Sequence, residues 1–224
     1  VDPASWYNAV LSIDTTPSTP VIKLFINGTD ITSSFTNKLA TPSQNDQLFI
    51  SVSGEPIRVG YDQLGNKYHN GYLQECVYLD GTAVSDASDF GELKENIWIP
   101  KNYSGGSFGT NGFRLEMKQS GTGTASASTV GADTSGNNNH MTSTDIASTD
   151  HMSDSCTNNF CVMNPIGHSD GATPGTLSAG NLVVNTGDAK TITYGTFAIP
   201  TSGKYYFEVT AGTTNSTQLG LAVR

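Results

Sequence analysis

Short runs of apolar and β-branched residues, separated by polar turns, are the main pattern along this chain. In the first part of the chain such runs predict strands at residues 6–13, 21–26, 29–32, 48–52 and 57–61. Asn27-Gly28 is a strong hairpin signal between the second and third of these strands. No long segment repeats apolar residues at helical spacing, so the pattern predicts an all-β fold with many turns.

The strand predicted at residues 71–79 is the one around which the chain is organised, because neither of its faces is simply polar. One face carries Leu73, Glu75, Val77 and Leu79, and the other carries Tyr72, Gln74, Cys76 and Tyr78. Such a strand is typical of the inside of a sheet with both sides covered. Asp80-Gly81 closes it with a dipeptide that tolerates positive φ.

Three groups of sequence stretches carry a resemblance to known families. "GYLQECVYLDG", preceded by "IKLFING" and "IRVG", resembles the second half of a concanavalin A-like, laminin G-type jelly roll. "SDFGE" followed by "WIPKNYSGGSFGTNGFRL" is similar to a narrower group found in tail-fibre and other structural proteins of marine bacteriophages. "GNLVVN", "SGKYYFEVT" and "LGLAVR" resemble the opening strands of a SPRY domain, which is another concanavalin A-like β-sandwich.

The resemblance implies two jelly-roll sandwiches that are both incomplete in this chain, which reads as a processed or partial product. Residues 1–82 would be the second half of the laminin G-like sandwich, and residues 83–130 a connector with a short strand at 112–117 and a mobile loop at 118–130. Residues 131–176 form an Asp- and Asn-rich inter-domain segment. Residues 177–224 would begin the SPRY-like sandwich, with strands at residues 181–185, 190–194, 204–210 and 219–223.

Charge and composition exclude several classes of partner. The net charge is −9 and no basic stripe is present, so we expect no nucleic-acid partner. No apolar run reaches the length of about 18 residues that a membrane helix needs, so we expect no membrane partner. Three cysteines do not make a disulfide framework.

Aromatic side chains beside Gly- and Asn-rich loops are candidates for carbohydrate binding, because sugars stack their apolar faces on such rings. The candidates are Tyr61, Tyr68, Tyr103 and Phe108. The alternative is that these rings form the rim of the core.

Glu75 is the strongest candidate for a catalytic carboxylate, because it lies on the apolar side of a predicted core strand. A buried carboxylate needs a partner, so we expect an arginine, a backbone N–H or a turn beside it and a structural role. Glycoside hydrolysis would need a second carboxylate about 5–9.5 Å away. The related glucanases carry Glu-x-Asp-x-Glu on one strand, and this chain has no such triplet, so we expect no enzyme.

Oxygen-rich side chains in residues 131–166 suggest a calcium site, with Asp133, Asn137 and Asn139 as its first candidates. Further oxygen donors are Asp145, Asp150 and Asp154. Asx residues are equally typical of turns, which is the alternative. Side-chain types alone would also allow zinc at His151, Cys156, Cys161 and His168, or a Cys156–Cys161 disulfide, with free thiols as the third alternative.

The resemblance implies a non-enzymatic virion structural protein, a fibre or surface decoration, whose partners are other virion proteins and a host surface glycan. The alternatives are a glycan-degrading phage depolymerase and a secreted bacterial adhesin or matrix fibre. We expect a homo-oligomer, such as a trimer, since few charges and no disulfides leave buried area between copies as the source of stability. Candidate packing residues between subunits or between domains are Trp98, Ile99, Phe108 and Phe113. The alternative is that these residues are buried inside their own domain.

Overall fold

The computed structural model describes residues 5–34, 41–48, 50, 52, 54–62, 65–152, 155, 160–166, 175–185, 192–212 and 220. The regular elements in these ranges are strands, with two single 3₁₀ turns at Thr32–Ser34 and Ser148–Asp150. The predicted all-β character is therefore confirmed. Within the described part of the chain, no helix has the length and apolar character that a membrane crossing requires.

Within the described ranges, eleven short strands pair in antiparallel ladders. β1 (Ala9–Asp14), β2 (Val21–Ile26) and β3 (Thr29–Asp30) form a three-stranded meander, and β4 (Tyr61–Asp62) pairs with β5 (Lys67–Tyr68). β6 (Cys76–Tyr78) pairs with β9 (Phe113–Leu115), and β7 (Gly91–Lys94) pairs with β8 (Ile97–Pro100). β10 (Thr176–Ser178) pairs with β11 (Val183–Asn185). The described residues form no sheet of more than three strands.

The hairpin predicted at Asn27-Gly28 is confirmed. Both residues adopt positive φ, 48° and 76°, which Asn and Gly tolerate in a tight turn between two strands. Asn27 Oδ1 also accepts a hydrogen bond of 2.8 Å from the backbone N–H of Asn8, which ties the turn to the chain entering β1. β2 has the predicted bounds, whereas β1 begins at Ala9 and not at residue 6.

One core lies between the β1–β2 sheet and residues 84–98. Its buried members are Val10, Phe25 and Ala87, with Val84, Phe90 and Trp98 packed against them. The Trp98 ring lies against Gly28 and Gly91, where an added Cβ would overlap it. Trp98 therefore packs on the core of its own domain, which is the alternative role that the sequence left open.

Residues in and after β9 are also buried. Phe113, Leu115, Val130 and Ala132 are each 8% exposed or less, and the intervening Arg114 points to the other face of β9. Phe113 is thus covered within its own chain, which is the alternative role that the sequence left open for it. The predicted mobile loop, residues 118–130, closes through a parallel bridge between Gly121 and Thr129, and Leu115 forms an antiparallel bridge with Asp133.

The central strand is shorter and more open than predicted. Only Cys76–Tyr78 forms a strand, and Leu73 is 43% exposed, so two covered faces are not present. The physical reason is that, among the residues the structure describes, β6 has a ladder partner on one side only, and that partner is three residues long.

Other predicted strands are also shorter than expected or have no ladder partner among the described residues. Residues 57–61 contribute only Tyr61 to a strand, and residues 204–210 are exposed without a ladder partner among the described residues. Residues 48–52, 190–194 and 219–223 lie partly outside the described ranges. β10 was not predicted.

Candidate functional site

The carboxylate of Asp133 lies at the centre of a hydrogen-bonded loop beside β9. Asp133 is 7% exposed. Its Oδ1 accepts from the backbone N–H groups of Arg114 and Ser135, each at 2.8 Å. Its Oδ2 accepts from the Ser135 hydroxyl and the Asn139 N–H, each at 2.9 Å. Each carboxylate oxygen of Asp133 therefore accepts two hydrogen bonds from other residues of the chain.

Asn137 and Asn139 connect this loop to the turn before β9. The Asn137 Nδ2 donates to the carbonyl oxygens of Gly109 and Gly112, and the Asn139 Nδ2 donates to those of Thr110 and Gly112. Each amide thus satisfies two turn carbonyls that no strand partner reaches. The sequence D-x-S-G-N-x-N acts in this structure as a backbone clamp, which we call the Asp133 clamp (Asp133, Ser135, Asn137 and Asn139).

The electrostatics of the clamp favour an ionised carboxylate. Burial raises the pKa of the Asp133 carboxyl, but hydrogen bonds from Arg114, Ser135 and Asn139 outweigh burial and hold that pKa below its ordinary value. The structure does bring together the three residues predicted to bind calcium. It directs N–H and O–H donors at both Asp133 oxygens, so a cation would have to displace them.

We expect calcium to leave the melting temperature of this protein unchanged. The reason is that the two Asp133 oxygens already accept four hydrogen bonds, which a calcium ion would have to displace. Differential scanning fluorimetry with millimolar CaCl₂ or with EDTA measures this. A rise in melting temperature with calcium that is lost in Asp133→Asn would show that calcium binds here.

Beside β6 and β9 lies an open groove of about 240 Å³. Its lining residues are Gln74, Glu75, Pro100, Lys101, Asn102, Arg114, Glu116 and Lys118. Arg114 connects two of the lining residues of this groove. Its Nε lies 2.5 Å from Glu75 Oε1, and its guanidinium also donates a hydrogen bond of 2.7 Å to Asn102 Oδ1. Glu75 thus has an arginine beside it, one of the partners expected from its place in the sequence. Arg114 itself was not singled out by sequence reasoning, since a lone arginine in a short strand carries no motif.

The second carboxylate of the groove, Glu116, is also paired. Its Oε1 lies 3.2 Å from the Arg114 guanidinium and 2.7 Å from Lys118 Nζ. Burial raises the pKa of Glu116, but the Lys118 hydrogen bond and the charges of Arg114 and Lys118 outweigh it, so that pKa is lowered. A general acid for glycoside cleavage needs a raised pKa, which is the opposite condition.

Two of the four aromatic candidates form a ring pair in which Tyr68 is exposed and Tyr61 is half-buried. Tyr61 and Tyr68 are directly opposite across β4 and β5, with ring centroids 4.9 Å apart. Tyr68 is 73% exposed, and the Arg58 guanidinium lies 5.5 Å from the Tyr61 ring centre. The Tyr61 hydroxyl donates to Asn66 Oδ1 at 3.1 Å. The arrangement offers a ring face and polar groups side by side, which suits a sugar.

The other two aromatic candidates belong to a packed stack. Tyr103 lies 5.3 Å from Phe90 and 5.1 Å from Phe108, measured between ring centres. Phe90 packs on the first core, so Tyr103 and Phe108 extend that core and are half-buried. They have the role of core rim that the sequence left as the alternative, and the structure separates them from the Tyr61–Tyr68 pair.

The cysteine- and histidine-rich stretch is only partly described. Among the described residues, Cys76 and Cys161 carry free thiols, whereas the predicted disulfide involves Cys156, which the structure does not describe. Cys156, His168 and Asp154 lie outside the described residues. Among the residues that the structure describes, no three His, Cys, Asp or Glu side chains group as metal ligands.

Comparison with known proteins found no matching family model, no matching curated protein and no matching solved structure. The fold and the two surface features described above, the Arg114 groove and the Tyr61–Tyr68 pair, therefore define the protein only as an all-β chain with a polar groove and an aromatic surface.

Proposed function

We propose that this chain is a non-enzymatic structural protein of a bacteriophage particle, a fibre or surface decoration, that assembles with other copies and contacts host glycans. The sequence support is the resemblance of its connector to phage structural proteins and of its two ends to laminin G-like and SPRY-like sandwiches. The observation that carries the proposal is an apolar sheet face that is not fully covered.

This open face lies on the β1–β2 ladder, opposite the first core. It comprises the cross-strand pairs Ala9–Ile26, Leu11–Leu24 and Ile13–Ile22. Leu11 is 61% exposed, whereas Val10 and Phe25 on the other face are buried. A ladder without one polar side chain on its open face is stabilised when a second layer covers it, at about 25 cal/mol per Å² of apolar area. In the proposed assembly that layer is a second copy of the chain, which favours a closed homo-oligomer such as a trimer.

Replacing Leu11 by lysine should weaken self-association, because it places a charge at the centre of the open face. We expect the dissociation constant of the oligomer to rise at least about tenfold, the effect of losing one central apolar contact. Sedimentation velocity over a concentration series measures this. The matched control is Leu93→Lys, an equally exposed leucine on β7 that lies outside the open face. Monomeric wild type at all concentrations, or equal weakening by both variants, would count against the assembly.

The glycan contact is proposed at the Tyr61–Tyr68 pair. Tyr68 presents most of its ring to solvent, and Arg58 and Asn66 place donor and acceptor groups beside the pair. Large exposed rings of this kind give contact area at low cost in conformational entropy.

Replacing Tyr68 by alanine should reduce binding to host capsule or lipopolysaccharide at least about fivefold, because it removes the exposed stacking surface. A glycan array followed by calorimetry on the glycans that bind would measure the loss. Tyr206→Ala is the matched control, since Tyr206 is 86% exposed but lies far along the chain. Equal binding by the wild type and Tyr68→Ala would remove this pair from the contact site.

A depolymerase is the alternative from the enzyme class. The salt bridges of Glu75 and Glu116 to Arg114, and the lowered pKa of Glu116, oppose it. Reducing sugar released from host polysaccharide by the wild type, and lost in Glu75→Gln, would favour the depolymerase.

A secreted bacterial adhesin or matrix fibre is the second alternative, because it would use the same apolar face and exposed tyrosine. A gene neighbour that encodes a capsid or tail protein would distinguish the virion protein from the adhesin.

A further inference from the structure

The chain holds three Asn-Gly dipeptides, at Asn27, Asn70 and Asn111, and the structure leaves one of them open to reaction. In an Asn-Gly sequence the glycine nitrogen can attack the preceding side-chain amide, because glycine has no Cβ to hinder the approach. We propose that Asn70-Gly71 is a site of spontaneous deamidation, assisted by His69, that changes the surface beside the β4–β5 hairpin.

Asn27 is held against this reaction. Its Oδ1 accepts the Asn8 N–H at 2.8 Å, and the turn fixes its φ at 48°. The following Gly28 lies against the Trp98 ring, so the turn is anchored on the first core. Ring closure would require the side-chain carbon to leave this hydrogen bond and the turn to open locally.

Asn111 is held more firmly. Its backbone N–H and its Nδ2 both donate to Asp80 Oδ2, at 3.0 and 2.9 Å. The carbonyl of the following Gly112 accepts from Asn137 and Asn139 of the Asp133 clamp. The leaving amide and the attacking backbone are therefore both restrained.

Asn70 has neither restraint. It is exposed, as is Gly71, and both lie between β5 and β6 outside regular structure. No hydrogen bond joins the Asn70 side chain or the Gly71 N–H to another described residue. The His69 ring lies next to Gly71: a Cβ added to Gly71 would stand 3.0 Å from His69 Nε2. A neutral imidazole there can accept the amide proton as a general base.

The reaction balances with water as the only co-reactant. The Gly71 nitrogen forms a bond to Asn70 Cγ while its proton passes to His69 or water. The Cγ–Nδ2 bond breaks and the nitrogen leaves as ammonia, which gives a cyclic imide. Water then opens either carbonyl of the ring to give aspartate or isoaspartate. The product adds a negative charge at residue 70, two positions after Tyr68, and isoaspartate also lengthens the backbone there.

Incubation of the folded protein at mildly alkaline pH, followed by peptide mapping by mass spectrometry, tests the proposal. We expect Asn70 to convert at least about tenfold faster than Asn27 and Asn111, because the latter react only from locally opened states. In urea the three rates should converge. Equal rates in the folded protein, or faster conversion at Asn27 or Asn111, would overturn the site.

Two variants test the local chemistry. His69→Gln should slow conversion at Asn70 severalfold and leave the other two sites unchanged, and an unchanged rate at Asn70 would overturn the role of His69. Gly71→Ala should suppress conversion at Asn70 in both the folded and the urea-unfolded chain. Continued conversion in that variant would overturn ring closure through the residue 71 nitrogen.

Discussion

Replacing Asp133 by alanine should lower the free energy of unfolding by about 4 kcal/mol or more, since each buried donor left without its acceptor costs about 1–3 kcal/mol. The donors left behind are the N–H groups of Arg114, Ser135 and Asn139 and the Ser135 hydroxyl. Without their acceptor, the loop would also no longer hold the turn at residues 109–112. Urea unfolding monitored by fluorescence measures the loss.

Asp145→Asn is the matched control for Asp133→Asn. Asp145 is exposed in the same polar segment and has a φ of 57°, which asparagine tolerates. It should change stability little, whereas Asp133→Asn should be clearly destabilising. Equal effects of the two substitutions would show that the clamp contributes nothing specific.

The Asp133 clamp also predicts a pH dependence. Because the pKa of Asp133 in the folded protein lies below its ordinary value of 3.8, the clamp contributes fully above that value. Its contribution is lost as the pH falls through the lower, folded-state pKa. In Asp133→Asn this part of the acid dependence should be missing from unfolding curves measured at acidic pH. An unchanged acid dependence would contradict the pKa direction.

Replacing Trp98 by alanine should lower the free energy of unfolding by about 3 kcal/mol, as expected when a large ring is removed from a core. The ring covers Gly28 and Gly91 and packs on the core formed by Val10 and Phe25. Chemical denaturation measures this effect. Trp6→Ala is the matched control, because Trp6 is also partly exposed but lies outside that core. A larger loss in Trp6→Ala would contradict the packing.

The Gly91→Ala substitution tests whether the Trp98 ring packs directly on residue 91, as opposed to a general effect of losing a tryptophan. An added Cβ would overlap the Trp98 ring, and overpacking of this kind costs about 1–3 kcal/mol. In the Trp98→Ala background the same substitution should cost little, so the two changes should be strongly non-additive. Gly212→Ala, where the added Cβ meets no atom within 4 Å, is the steric control. Additive effects of Gly91→Ala and Trp98→Ala would contradict direct contact.

Local signals predicted the parts of the fold that depend on few residues. The Asn27-Gly28 turn and the bounds of β2 followed from residue types next to each other in the chain. The short strand predicted at residues 112–117 is present as β9, Phe113–Leu115. The prediction of a strand over all of residues 71–79 was wrong, because a strand exists only where a second backbone pairs with it. The partner β9 is 35 or more residues away in sequence.

For the candidate sites too, the sequence predicted only what depends on neighbouring residues, and the structure decided the rest. The composition of residues 133–139 indicated that Asp133, Asn137 and Asn139 act together, but the choice between calcium ligands and turn chemistry depends on where their donors and acceptors point. Arg114 became the centre of the groove only because β9 places it between Glu75 and Glu116. No pattern in the sequence joins these residues.

The sequence by itself determined the all-β character, the hairpin at Asn27 and the absence of a paired-carboxylate motif, because each depends on neighbouring residues or on composition. Only the tertiary structure decided that Trp98 packs on two glycines, that Tyr61 and the exposed Tyr68 form a pair apart from the Tyr103–Phe108 stack, and that Asn70 is unrestrained. Those outcomes depend on contacts between residues far apart in the chain, whose free energies are set by distance and burial in the folded state.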